Sequence, residues 1–167
     1  MKWVDFMAKE VKTNAMRILD RAKIEYEINL YDCDEFIDAV HVADMLSQPY
    51  ESSYKTLVAS GKNGGYFVFV LPIAEELDMK AAAVACGQKS VSLIPVREIT
   101  AVTGYIRGGC SPVGMKKRFP TYFHSSANDF ETIYVSAGVR GLQLAISPAE
   151  LIGFVGGTVA DVAAFGE

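Results

Sequence analysis

The sequence is short of the residues from which disulfide frameworks and metal centres are made. It has three cysteines in 167 residues, Cys33, Cys86 and Cys110, and two histidines, His41 and His124. The cysteines are odd in number, far apart and free of any C-x-x-C spacing, which argues against disulfides and zinc and suits a reducing compartment. Two histidines cannot build a His-rich centre, so neither a metal nor another cofactor is expected. The motifs of familiar enzymes are missing as well: no G-x-S-x-G, no P-loop lysine signature, no H-E-x-x-H and no spaced-glycine dinucleotide fingerprint. No uncharged apolar run approaches the ~18 residues of a membrane helix, and the first residues, Met1-Lys2-Trp3-Val4-Asp5, lack the apolar core of a signal peptide. A cytoplasmic protein with no membrane partner is expected. One further absence is local: residues 99–128 contain no Asp or Glu.

What is present is the composition of a globular domain, half apolar and 22% charged. A chain of this length buries about two thirds of its unfolded surface in a single core. Net charge is −4, a poor start for a general nucleic-acid binder, but the acid-free block carries Arg107, Lys116, Lys117 and Arg118 and is locally +4. A basic face on an acidic body suits a protein that grips one part of a polyanion.

Residues 1–11 read as an N-terminal extension and 12–167 as one domain. Thr13 can cap a helix whose Ala15, Ile18, Leu19 and Ala22 share a face. Residues 24–31 alternate as a half-buried strand, and Asp38 can cap a short helix through Leu46. Residues 54–59 and 66–71 flank a Gly-rich turn and predict a hairpin, with Lys55 at the start of its first strand. Asp78 and Gly87 bracket a helix over 79–86, 91–94 is a short strand, and Pro95 opens a helix ending before Gly104. Strands follow at 121–124, 132–136 and 142–146, then a helix from the cap-Pro-x-Glu run Ser147-Pro148-Ala149-Glu150 to Val155. Six or seven strands with four or five short helices predict an α/β domain with a mixed, mostly antiparallel, barrel-like sheet.

The stretch from Thr103 to Pro120, T-G-Y-I-R-G-G-C-S-P-V-G-M-K-K-R-F-P, stands out. Paired glycines let a backbone approach a ligand and turn its N–H groups toward it, so the stretch reads either as a backbone-lined pocket with a positive flank or as a turn-rich surface loop. Cys110 within it is a tempting nucleophile, but no histidine stands in a recognisable relation to it. Lys55 reads either as a snorkelling side chain with its stem on the sheet or as a cation that orients an anionic or carbonyl oxygen. The carboxylate groups around Asp32–Asp34 and Glu75–Asp78 read as solvated surface.

Taken together, Lys55-Thr56-Leu57, Thr103-Gly104-Tyr105, Gly108-Gly109-Cys110-Ser111-Pro112-Val113-Gly114, Lys116-Lys117-Arg118, and Glu131 to Ser136 leading to Arg140-Gly141-Leu142 resemble the YbaK/EbsC family in order and spacing. These are aminoacyl-tRNA editing proteins related to the editing insertion of bacterial prolyl-tRNA synthetases. The resemblance implies removal of a wrongly attached amino acid from tRNA, with Cys-tRNA(Pro), and in some members Cys-tRNA(Cys), as substrate. It implies that the substrate's own thiol attacks its ester carbonyl to form a thiolactone, which would account for the missing protein nucleophile. By the same resemblance Lys55, Gly108 and Gly109 are catalytic, Tyr31, Thr56, Ser111, Pro112 and Ser136 line the substrate pocket, and Lys116, Lys117 and Arg118 meet the acceptor end of the tRNA. A domain this small has little surface for reading tRNA identity, which implies docking with prolyl-tRNA synthetase. Three departures leave the amino-acid preference open: Cys110 for an aliphatic residue, no acidic-proline turn in 33–42, and Gln143 for a small or acidic one. Two other readings stay open: a deacylase of Ala-tRNA(Pro) or another small aminoacyl-tRNA acting through water, and a non-catalytic module that binds the acceptor end.

Overall fold

Four short polar side chains start four of the helices. Thr13 begins α1 (Asn14–Arg21), Asp38 begins α2 (Ala39–Met45), Asp78 begins α3 (Met79–Cys86) and Ser147 begins α5 (Pro148–Val155); each side-chain oxygen accepts the N–H three residues on. The remaining helix, α4 (Ile99–Thr103), has no side-chain cap. Where one continuous helix was expected from Pro95, a separate 3-10 turn at Val96–Glu98 precedes it. The computed structural model describes residues 12–33 and 35–165, so the expected extension at 1–11 lies outside the described residues.

The strands are β1 (Tyr26–Leu30), β2 (Tyr54–Gly61), β3 (Tyr66–Pro72), β4 (Glu75–Leu77), β5 (Val91–Leu93), β6 (Thr121–His124), β7 (Ile133–Ser136), β8 (Leu142–Ile146), β9 (Thr158–Ala160) and β10 (Ala163–Phe165). They form a five-stranded sheet in the order β5-β2-β3-β6-β9, a three-stranded sheet β1-β8-β7 and a ribbon β10-β4. The β2–β3 hairpin runs in register from Tyr54 opposite Pro72 to Ser60 opposite Tyr66. Pairing is antiparallel except where β6 joins β3 and β9 joins β6. The expected mixed, mostly antiparallel α/β domain is therefore found. The sheets stay separate among the described residues and do not close into a barrel; a single bridge, Ser53 to Tyr134, brings the two larger ones together at the start of β2.

Residues 68–71 of β3, Val-Phe-Val-Leu, are wholly enclosed because both faces of their sheet are covered. On one face Val68, Val70 and Phe123 pack with Leu144 and Ile146 of β8 and with Met16, Leu19 and Leu151 of α1 and α5. On the other, Phe69 and Leu71 lie under Ala82 and Ala83 of α3, and Phe69 stacks on Tyr122 at 5.4 Å between ring centroids. The five-stranded sheet is thus the middle layer. The N-terminal half of β2 runs past the end of β5, which pairs only with Ala59, Ser60 and Gly61, and a cleft opens along that uncovered edge.

Shortening a side chain in the main core removes buried surface and leaves a cavity. Leu144→Ala is expected to lower unfolding free energy by about 2–5 kcal/mol in urea titration. Val84→Ala, at a position 80% exposed on α3, is expected to stay within about 0.5 kcal/mol.

Candidate active site

The cleft has a volume of about 670 Å³ and is walled mostly by apolar side chains, among them Val40, Leu57, Ile73, Leu93 and Ile99. Polar groups enter it from three directions. Lys55 and Thr56 come from β2, Tyr31 from the segment after β1, and Ser136 from the end of β7, while Gly108 and Cys110 supply backbone from the glycine-rich stretch. The structure therefore brings Tyr31, Lys55, Thr56, Gly108 and Ser136 together from segments up to 105 residues apart in the sequence.

Lys55 is the chemically unusual member. Its ammonium is half-buried and donates one hydrogen bond, to the carbonyl of Ile73 at 3.3 Å. Among the described residues no carboxylate lies within 4 Å of it. Burial pulls its pKa below the ordinary lysine value, and the more distant Glu76 and Glu75 oppose that only in part. An ammonium with three N–H groups and one acceptor has donors left for a ligand. On the same strand, the Thr56 hydroxyl is enclosed and has no hydrogen-bond partner among the described residues. Ser136 Oγ accepts the N–H of Gly138 at 3.2 Å, which leaves its own proton free to donate.

The glycine-rich stretch is more selective about what it offers. The N–H of Gly108 has no hydrogen-bond partner among the described residues, whereas that of Gly109 is bonded to the carbonyl of Ile106 at 2.9 Å. The expected pair of glycine donors is therefore reduced to Gly108, because Gly109 closes a turn and faces the backbone of Val139 and Arg140. Ser111 also lies outside the cleft: it is fully buried, and its hydroxyl accepts the N–H of Val113 at 3.3 Å. Pro112 lines a separate shallow groove together with Lys117 and Arg118. In the basic triplet, Lys116 donates to Ala101 O and Arg118 to Phe154 O, both at 3.4 Å, and none of the three borders the cleft.

Cys110 does line the cleft, but burial pushes its thiol up to about 11, opposite to the direction an attacking cysteine requires. Sequence reasoning did not find several other lining residues. Phe36, His41 and Arg107 border the cleft, and Gln143 stands in its wall in a reciprocal amide pair with Gln48 (2.7 and 2.9 Å), its oxygen also accepting from Asn29. The only sequence signal for this set was the acid-free block holding Arg107 and the odd residue at 143, since its members meet across long sequence separations.

A tyrosine fixes the cleft's glycine-rich wall. The buried hydroxyl of Tyr105 donates to the carbonyl of Val113, closing the loop on itself, and burial raises its pKa to about 12. Its ring lies against Gly138 in the β7–β8 turn, where a Cβ would come within 3.0 Å of the ring and φ is +105°. Glycine is required there on both counts.

A desolvated lysine, an enclosed hydroxyl and a glycine N–H, the last two without a partner among the described residues, thus meet around an apolar cleft in an α/β domain. The aminoacyl-tRNA editing domain family matches residues 35–154, and the chain belongs to that family. It is 41% identical over 152 residues to a protein of Enterococcus faecalis named "Putative Cys-tRNA(Pro)/Cys-tRNA(Cys) deacylase EbsC", a match that covers 90% of this chain and 93% of that protein. Among solved structures it is similar to "a putative trans-editing enzyme for prolyl tRNA synthetase", with a TM-score of 0.79, 21% identity and coverage of 92% of this chain and 99% of that one. A second, of a hypothetical protein, gives a TM-score of 0.82 at 22% identity over 89% and 97%. At those identities the two structures establish the shared fold.

Tyr105→Phe leaves the Val113 carbonyl buried without its donor. The variant is expected to lose about 1–3 kcal/mol of stability, read as a lower urea midpoint at unchanged m-value.

Proposed function

We propose that this protein acts in trans to remove cysteine wrongly esterified to tRNA(Pro), with Cys-tRNA(Cys) as a further substrate. The observation that carries the reading is Lys55, a half-buried ammonium with one carbonyl partner and spare donors in an apolar cleft. The names borne by its relative and by the similar solved structure point to the same substrate class. A domain of this size meets the acceptor end of the tRNA and leaves identity to a partner, for which prolyl-tRNA synthetase is the natural choice.

In the proposed reaction the thiol of the bound cysteine loses its proton and its sulfur attacks the ester carbonyl. A C–S bond forms as the C–O bond to the ribose breaks, the ribose oxygen takes up a proton, and a four-membered thiolactone leaves with the free tRNA as the other product. Lys55 and the Gly108 N–H stabilise the charge developing on the carbonyl oxygen, and the Thr56 and Ser136 hydroxyls orient the amino acid. Enclosure brings the substrate's sulfur onto its carbonyl, an advantage worth several kcal/mol in oriented intramolecular reactions. Cys110, protonated at neutral pH, stays a wall residue.

One observation favours a second reading. His41 borders the cleft with Nδ1 2.8 Å from both oxygens of Asp38, an arrangement that could turn a water into the nucleophile against Ala-tRNA(Pro) or another small aminoacyl ester.

Charging tRNA(Pro) with cysteine and following its loss tests the proposal. Lys55→Ala is expected to slow the enzymatic rate by about 10²–10³, and equal, slow loss with both proteins would sink it. S-methylcysteine in place of cysteine separates the two nucleophiles: it abolishes the thiol route and leaves a water route running.

The pH profile has a defined sign. The protonated lysine is the working form and its pKa is lowered, so after subtraction of spontaneous ester loss the rate falls on the alkaline side before an ordinary lysine would deprotonate. A rate that climbs through that range would make Lys55 a base and overturn its assignment to the oxyanion.

A further inference from the structure

Two guanidinium groups converge on one aromatic ring at the mouth of the cleft. Arg107 lies over Phe36 with its guanidinium carbon 3.9 Å from the ring centroid, and Arg140 lies 5.6 Å from the same centroid. Arg140 is tied in place by donating its Nε–H to the carbonyl of Arg107 at 2.8 Å. Gly108 is packed between them: a Cβ there would fall 3.2 Å from the Phe36 ring and 3.3 Å from Arg140 Nε. Phe36, Arg107 and Gly108 all border the cleft. Among the described residues neither arginine has a carboxylate within 4 Å.

Two like charges gathered on one ring repel each other, and in an ordinary surface cluster a carboxylate would stand between them. Here the ring holds a guanidinium face and the Arg140 Nε bond fixes the second fork, so the remaining N–H edges are pre-oriented toward a shared anion. Planar forks of this kind match the oxygens of a phosphate. The alternative anchor, Lys116-Lys117-Arg118, does not border the cleft, and its Lys116 and Arg118 donate to carbonyls elsewhere.

We propose that Arg107 and Arg140, braced by Phe36 over Gly108, form a phosphodiester subsite at the cleft mouth that clasps the 3′-terminal backbone of the acceptor strand and so positions the ester beside Lys55. This rests on the aminoacyl-tRNA reading of the cleft. The ligand chemistry is a single-stranded nucleic-acid phosphate one nucleotide removed from the reacting ester. The subsite also gives Gly108 a second reason to lack a side chain, since its backbone faces the acyl group while its Cα supports the clasp.

The experiment uses the full chain and two substrates. With Cys-tRNA(Pro), Arg107→Ala and Arg140→Gln are each expected to raise KM about ten-fold with kcat little changed. With the trinucleotide CCA, followed by fluorescence anisotropy, each is expected to flatten the slope of log affinity against log salt by about 0.7. A merely structural role for either arginine would leave that slope alone. Lys89→Ala, at an exposed position away from the cleft, serves as the comparison and should leave both readouts near wild type. Thermal melting of each variant identifies any that fails to fold, in which case Arg107→Lys, which keeps the charge but loses the fork, replaces it and should raise KM while retaining the slope.

Wild-type turnover combined with unchanged KM and salt slope in both variants would overturn the subsite and leave the deacylase reading intact. Failure of the wild type to deacylate would overturn that reading. The CCA salt slopes would then decide the subsite by themselves, flattened slopes supporting it and unchanged ones removing it.

Discussion

The phenol of Tyr105 sits between two turns that lie outside the ladders of both large sheets. Its hydroxyl closes the 105–113 loop by reaching the Val113 carbonyl, and its ring rests on Gly138 at the crown of the β7–β8 hairpin. Much of the working geometry follows from that contact. It fixes where Gly108 presents its N–H, it keeps Ser136 and Arg140 at the two ends of the hairpin turn near the loop, and it allows Arg140 to bond the Arg107 carbonyl. The β2 strand is carried by the hairpin with β3 and is held against this wall by the Ser53–Tyr134 bridge and by Tyr54 and Val58 packing with Ile133 and Val135.

The site is costly as a piece of folded structure. A desolvated ammonium with one carbonyl partner and an enclosed, unpaired threonine hydroxyl each work against stability. The core can absorb that cost because the five-stranded sheet is buried on both faces, with residues 68–71 paired directly beside the strand that bears Lys55. A substrate that offers a carbonyl oxygen and an amino-acid headgroup would satisfy those groups, so the same polar demands would act as binding preferences.

Reading from sequence succeeded where a signal is local. Thr13, Asp38, Asp78 and Ser147 each begin a helix by bonding an amide three residues away, and that chemistry is written within a single turn. The strands β4, β9 and β10 were not expected. Each has three residues, too few for a period to show, and each exists because of a partner elsewhere in the chain. The same distinction governs the site. Lys55 was legible because a charge at the head of a β-rich run is locally anomalous, and family resemblance supplied its neighbours. The basic triplet was read as the pocket's positive flank because it follows the glycines directly. Yet beyond Gly114 the chain turns into a groove against α5, and the arginine that borders the cleft is Arg107, whose carbonyl accepts from Arg140 33 residues away.

Cys110 shows why adjacency to a reaction does not confer a role in it. It lies in the cleft wall among glycines, but its thiol is held near a pKa of about 11 by burial, with only Thr103 pulling the other way. A protein thiolate there would have to be created in an apolar setting, whereas a substrate thiol enters from water and can lose its proton on the way in or against the cations at the mouth. In the proposed reaction the nucleophile comes with the ligand, so no such thiolate has to be made. The protein's contribution to that reaction would be geometric and electrostatic, an apolar enclosure with the half-buried Lys55 ammonium set in its wall.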